Sequence, residues 1–110
     1  MIPQAYGIRS IGAVDDGTCA GNAAHQVLAN TAPPRRSGLM VKNHDASLNL
    51  WVKLVPRGTS SVTLSSTSNN YVVGPNATLL IGASESVDVY VQNSAGDATT
   101  SRYTATNYSY

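Results

Sequence analysis

Leu48-Asn49-Leu50-Trp51-Val52-Lys53-Leu54-Val55 carries the clearest pattern in the 110-residue chain. Leu48, Leu50, Val52 and Leu54 fall two apart, with Asn49, Trp51, Lys53 and Val55 between them. Successive side chains of a strand point to opposite faces, so this spacing puts four aliphatics on one core-facing side. Trp51 then faces away from that core. The run stops at Pro56-Arg57-Gly58, where Pro and Gly favour a turn.

The flanking sequence extends the same reading. Ser37-Gly38-Leu39-Met40-Val41-Lys42-Asn43 reads as a strand that ends at His44-Asp45-Ala46-Ser47, and its short polar loop suggests a hairpin with the Leu48 run. Val62 and Leu64 mark a short strand or edge, followed by a polar loop from Ser65 to Asn70. Tyr71-Val72-Val73, Thr78-Leu79-Leu80-Ile81 and Val87-Asp88-Val89-Tyr90-Val91 follow, separated by Gly74-Pro75-Asn76 and Gly82. Asn93-Ser94-Ala95-Gly96-Asp97 suits a hairpin turn, with Gly available for a positive φ. The last strand is expected from Thr99 to Tyr108. Upstream, His25-Gln26-Val27-Leu28-Ala29 is read as a short strand in preference to a helical turn. It runs into Asn30-Thr31-Ala32-Pro33-Pro34. The first twenty-odd residues show no sustained period. Asp15-Asp16-Gly17 reads as a turn within an extended arm, a short strand with loops, or a solvated tail.

Short strands punctuated by turns indicate an all-β chain. The expected fold is one antiparallel β-sandwich, jelly-roll-like or immunoglobulin-like, over residues 25–110, with an extended N-terminal arm over residues 1–24. Composition agrees. Phe is absent, Trp occurs once, and charged residues make up 12%. Val, Thr, Ser and Tyr are the residues of pleated, half-buried surfaces. A net charge of +1 gives no basic footprint for nucleic acid and no polybasic face for a membrane. No signal-peptide pattern or apolar span is read in the sequence.

Reactive chemistry is sparse. No serine sits in a G-x-S-x-G elbow, and no phosphate-binding or dinucleotide fingerprint occurs. Cys19 with His25 is a conceivable nucleophile and base, but a shielded small thiol is the favoured reading. His44-Asp45 lies on a loop, where neighbours in sequence point into water. His25 and His44 lack metal-ligand spacing, and Asp15-Asp16 lacks the calcium-loop pattern. The expectation is therefore a non-enzymatic protein without cofactor or metal. Outward Trp51 and, by the same alternation, outward Tyr90 are candidates for a protein interface. Cover by a second layer of the same domain is the competing account.

The order of several short motifs resembles small β-sandwich virion proteins of tailed bacteriophages. The residues concerned are Gln26-Val27-Leu28-Ala29-Asn30, then Arg35-Arg36-Ser37-Gly38-Leu39-Met40-Val41-Lys42-Asn43, and the strand around Leu50-Trp51-Val52. Gly74-Pro75-Asn76-Ala77-Thr78-Leu79 and Val87-Asp88-Val89-Tyr90-Val91 follow in the same order. The chain departs from that pattern at Pro33-Pro34 and in its Tyr-rich C-terminus. The resemblance covers roughly residues 25–110. It implies a non-enzymatic virion component made in the host cytoplasm, without fixing its position in the particle; the first expectation is a capsid decoration or cement protein. The implied partners are the major capsid protein or other virion proteins, with a homo-oligomer, a trimer foremost, as its state. Arg35 or Arg36 would pair across the hairpin base or touch a neighbouring capsid subunit, and Ile8 and Ile11 would lie on the arm that crosses one. A neck or tail component, or a receptor- or glycan-binding virion module, is the alternative.

Overall fold

The Leu48 run becomes a strand from Leu50 onward because its alternation matches the pleat of a two-layer core; Leu48, expected on the same core face, precedes the strand, is half-buried and lies outside the core. The computed structural model describes residues 10–27 and 37–109, with the side chains of 14–27 and 37–108. Eight strands are present there: β1 (Ser10–Ala20), β2 (His25–Val27), β3 (Gly38–Asn43), β4 (Leu50–Pro56), β5 (Tyr71–Val73), β6 (Thr78–Gly82), β7 (Val87–Asn93) and β8 (Thr100–Ser109). In β4, Leu50 and Val52 are fully buried and Leu54 packs against the core, whereas Trp51 and Lys53 are half-buried.

The antiparallel pairs are nested: β1 with β8, β2 with β7, β3 with β6, and β4 with β5. Such nesting describes one long double ribbon whose tip is the connection from β4 to β5. Rolling the ribbon brings β3 against β8 and β4 against β7. The result is two four-stranded sheets, β1-β8-β3-β6 and β2-β7-β4-β5. This strand order is that of a jelly roll, and it decides between the two sandwich types expected from the sequence.

The core lies between the sheets. Leu39, Val41, Ile81, Tyr103 and Ala105 come from the first sheet, and Val27, Leu50, Val52, Val73, Val89 and Val91 from the second. Burying a Val or Leu side chain stabilises by about 1.5–3 kcal/mol, and these aliphatics supply the main cohesion. Among the described residues, Tyr103 is the one large aromatic in this core. Its ring is fully buried and its hydroxyl donates to Asp15 Oδ2 at 2.7 Å. Gly17 is the reason it fits, because a Cβ there would press on the Tyr103 hydroxyl at 3.2 Å.

Three sequence expectations need correction. Residues 10–20 are not part of an arm, and Asp15-Asp16-Gly17 is not a turn. All belong to β1, with Asp15 opposite Ala105, Asp16 opposite Thr104 and Gly17 opposite Tyr103. The inward positions of this strand are Asp15, Gly17 and Cys19, which break the apolar alternation because Tyr103 fills the space from the other side. β3 and β4 do not form a hairpin, since each lies in a different sheet. The same holds for β7 and β8 across residues 94–99. Finally, no strand forms around Val62 and Leu64, although Leu64 is buried.

Two asparagines make those sheet crossings. Asn43 closes β3: its Oδ1 accepts from Asp45 N–H at 3.0 Å, and its Nδ2 donates to Leu48 O, Val73 O and Gly74 O at 2.8, 3.1 and 3.2 Å. Asn93 closes β7 in the same way. Its Oδ1 accepts from Ala95 N–H, and its Nδ2 donates to Cys19 O, Thr99 O and Ser101 Oγ. Each carboxamide folds the chain back on itself and then holds the opposite sheet, which satisfies backbone groups that a ladder cannot reach.

Candidate interaction surface

The outer face of the β2-β7-β4-β5 sheet is fixed by the register. Trp51 stands opposite Gln92 on β7 and Val72 on β5, and Tyr90 stands opposite Gln26 on β2 and Lys53 on β4. Trp51 and Tyr90 are thus diagonal neighbours on one surface, within reach of each other's large side chains. Val72 beside them is 49% exposed. The Tyr90 hydroxyl donates to Gln26 Oε1 at 3.4 Å, and Gln92 Nε2 reaches the edge to donate to Gly21 O at 3.1 Å.

Part of this face is covered by the chain itself. Lys53 Nζ donates to Thr63 O at 3.0 Å and Ser68 Oγ at 2.7 Å, tying the 57–70 connection over its end of the sheet. Val55 and Leu64 are buried without belonging to the central core, as expected under such a cover. The loop is held by its own polar groups: Ser65 Oγ accepts from the N–H of Thr67 and of Ser68, and Asn69 Nδ2 donates to Ser65 O. The Trp51–Val72 end stays open. Self-cover and outward aromatics therefore both occur, at opposite ends of one face.

A second apolar row crosses the outer face of the other sheet. Val14, Thr106, Met40 and Leu80 align on β1, β8, β3 and β6. Val14 is 58% and Leu80 40% exposed. Beside that row Tyr108 lies flat over Gly38, and its hydroxyl reaches Ile81 O. Towards the other end the face turns polar. Asp16 Oδ1 accepts from Thr104 Oγ1 at 2.9 Å and pairs with Arg102 Nη2 at 3.4 Å, and His44 Nε2 contacts Thr104 Oγ1 at 2.7 Å. The Thr104 hydroxyl and the nearby Arg102 hold the Asp16 carboxyl below the usual carboxylate range. Since Thr104 donates its only hydroxyl proton to Asp16, it accepts from His44, the reverse of an activated nucleophile.

The remaining chemical candidates are tied up structurally. Cys19 Sγ sits 3.8 Å from Ser101 Oγ, and burial pushes its thiol up, which disfavours the thiolate. His25 packs its ring on Tyr103, with centroids 5.8 Å apart. Burial, reinforced by donation to Asp15, raises the Tyr103 phenol. Asp45 is engaged away from His44: its Oδ2 accepts from Leu48 N–H at 2.6 Å, Ser47 N–H at 2.9 Å and Ser47 Oγ at 3.2 Å. Those bonds, from Leu48 first, lower its pKa. Among the described residues no three of His, Cys, Asp and Glu are placed to hold a metal ion.

No family model, curated protein or solved structure matches this chain.

Of the six interface residues expected from sequence, the structure brings Trp51 and Tyr90 together. Ile11 lies in β1 opposite Tyr108, with its side chain outside the described set. Ile8, Arg35 and Arg36 lie outside the described residues. The Val14–Met40–Leu80 row was not anticipated. One signal for it was present: Leu79-Leu80-Ile81 is three apolar residues in succession, so one of them must face outward from a two-layer fold.

Proposed function

We propose that the protein is a non-enzymatic structural component of a tailed-phage virion, a capsid decoration or cement protein that docks through its outer sheet faces. The carrying observation is the Trp51–Val72–Tyr90 surface, where exposed Val72 lies beside half-buried Trp51 and Tyr90 on the outer face of one sheet. Aromatic residues in such settings supply most of the energy of protein interfaces. The jelly-roll order is compatible with this role, since capsid and lectin domains use it, but the fold alone does not carry function. The motif order that resembles phage virion proteins gives the reading its setting. Many copies, each joining neighbouring capsomers through a modest contact, stabilise a shell by avidity.

The test is capsid binding. Trp51→Ser removes the largest side chain of the surface without touching the core, and it should weaken binding to undecorated capsids at least about tenfold. Unchanged binding, with the fold intact by circular dichroism, overturns the assignment of this face.

A neck, tail or receptor-binding module is the second reading. The polar Ser65–Asn70 loop favours it, because it stands over Lys53, two positions along the same face from Trp51. Binding to host cells or glycans by the free protein, without capsids, would select it.

A further inference from the structure

Among the described residues, β6 ends its sheet with an open edge. Asn43 N–H donates to Ala77 O and Ala83 N–H donates to Ser37 O, at 3.0 and 3.1 Å. Both bonds continue the register in which Leu39 faces Ile81 and Val41 faces Leu79. Hydrogen-bonded and non-bonded pairs alternate along an antiparallel ladder. Leu79 and Ile81 therefore bond inward to β3. Thr78, Leu80 and Gly82 turn their N–H and C=O groups outward, where β6 ends the sheet. All three residues are exposed.

The other edges carry devices that blunt such pairing. β2 and β5 have three residues each, and β1 has a register shift between Ile11 and Val14 together with Asp15 and Asp16. β6 has the sequence Thr-Leu-Leu-Ile-Gly, with no charge, no Pro and no bulge. A regular, uncharged edge of this kind templates another strand.

We propose that β6 pairs antiparallel with β6 of a second copy about a two-fold axis at Leu80. The outward groups match themselves. Leu80 faces Leu80 of the other copy, and Thr78 faces Gly82 in both directions, so every outward N–H meets an outward C=O. On one side of the joined sheet the two Leu80 side chains meet and link the Met40–Leu80 rows of the two copies. On the other, Leu79 meets Ile81 and the two cores become continuous. β6 brings no charge to the seam, and a net charge of +1 leaves little repulsion between copies. A two-fold seam is self-complementary by construction, as homodimer interfaces are. Two five-residue strands bury less than the roughly 1,200 Å² of standard interfaces, so the association is weak and acts at high local concentration. The inference rests on backbone geometry and does not depend on the virion reading.

Sedimentation of the purified chain from about 20 μM to about 2 mM tests it, with Leu80→Lys and Val14→Lys compared. A concentration-dependent dimer is expected. Leu80→Lys sets like charges face to face across the axis and should weaken it at least about tenfold. Val14→Lys, on the same face but on β1, should leave it unchanged. A chain that stays monomeric throughout, a trimer, or a dimer indifferent to Leu80→Lys overturns the proposal. Hydrogen exchange on the unmodified protein needs no variant to fold: the amides of Thr78, Leu80 and Gly82 should gain protection as concentration rises. Constant exchange at those three positions overturns it equally.

Discussion

Removing the Asn43 carboxamide should be among the costliest single changes in this fold. Asn43 is fully buried, yet it lies at the point where the chain leaves one sheet for the other. Asn43→Ala deletes two donor hydrogens shared among three carbonyl oxygens and the acceptor for Asp45 N–H. Val73 O is buried and keeps no replacement from solvent, which costs about 1–3 kcal/mol. The part-buried Leu48 O, Gly74 O and Asp45 N–H lose about 0.5–1 kcal/mol each, because water reaches them in part. The total is about 2.5–6 kcal/mol, a large share of the 5–15 kcal/mol that holds an ordinary domain. For 110 residues this corresponds to a fall in Tm of about 11–26 °C. Urea unfolding followed by the fluorescence of Trp51, the single tryptophan, measures it directly. Asn22→Ala, at an exposed position, serves as the control and should stay within about 0.5 kcal/mol of the parent. A loss below about 1 kcal/mol for Asn43→Ala would refute the idea that side-chain bonds hold the crossing.

Three other outcomes follow from the same structure. Gly38→Ala forces a Cβ onto Ile81 O and the Tyr108 ring, so it should destabilise by about 2–3 kcal/mol in the same urea assay; a neutral result would mean that Tyr108 does not lie over Gly38. Asn107 is 2% exposed and neither atom of its carboxamide finds a partner among the described residues, so Asn107→Val should raise stability by about 1–2 kcal/mol, and a clear loss would show that the carboxamide is bonded in solution. Asp45 has a lowered pKa, so its contribution is present above the unfolded carboxyl value and is lost as pH falls through the folded one. Asp45→Asn should therefore be less stable than the parent at neutral pH, with the gap closing in acid; a gap that holds constant down to about pH 2 contradicts the cause given.

Strands were legible wherever burial follows a period of two. β4 and β7 show it plainly, since Leu50, Val52, Val89 and Val91 all point to one core. β1 was not legible. Its inward residues are Asp15, Gly17 and Cys19, and what makes them inward is Tyr103, almost ninety positions away. The two misread hairpins have a different cause. Asn, Asp, Ser and Gly serve a tight turn and a sheet crossing equally well, because both need local side-chain bonds to backbone. Only the reach of Asn43 to Val73 and of Asn93 to Cys19 separates the two cases, and those contacts are tertiary. Outward Trp51 and Tyr90 followed from alternation alone. Their partial cover by the 57–70 connection did not, because it depends on Lys53 reaching Thr63 and Ser68.

The decoration role we propose and the surface chemistry meet in one quantity, the amount of this chain carried by purified virions of the tailed phage proposed as its source. Densitometry of the virion proteins should find it at tens to hundreds of copies, scaling with the capsomers, and a Trp51→Ser particle should carry far fewer. Particles that lack the protein, or that hold it at only six or twelve copies, would contradict that account.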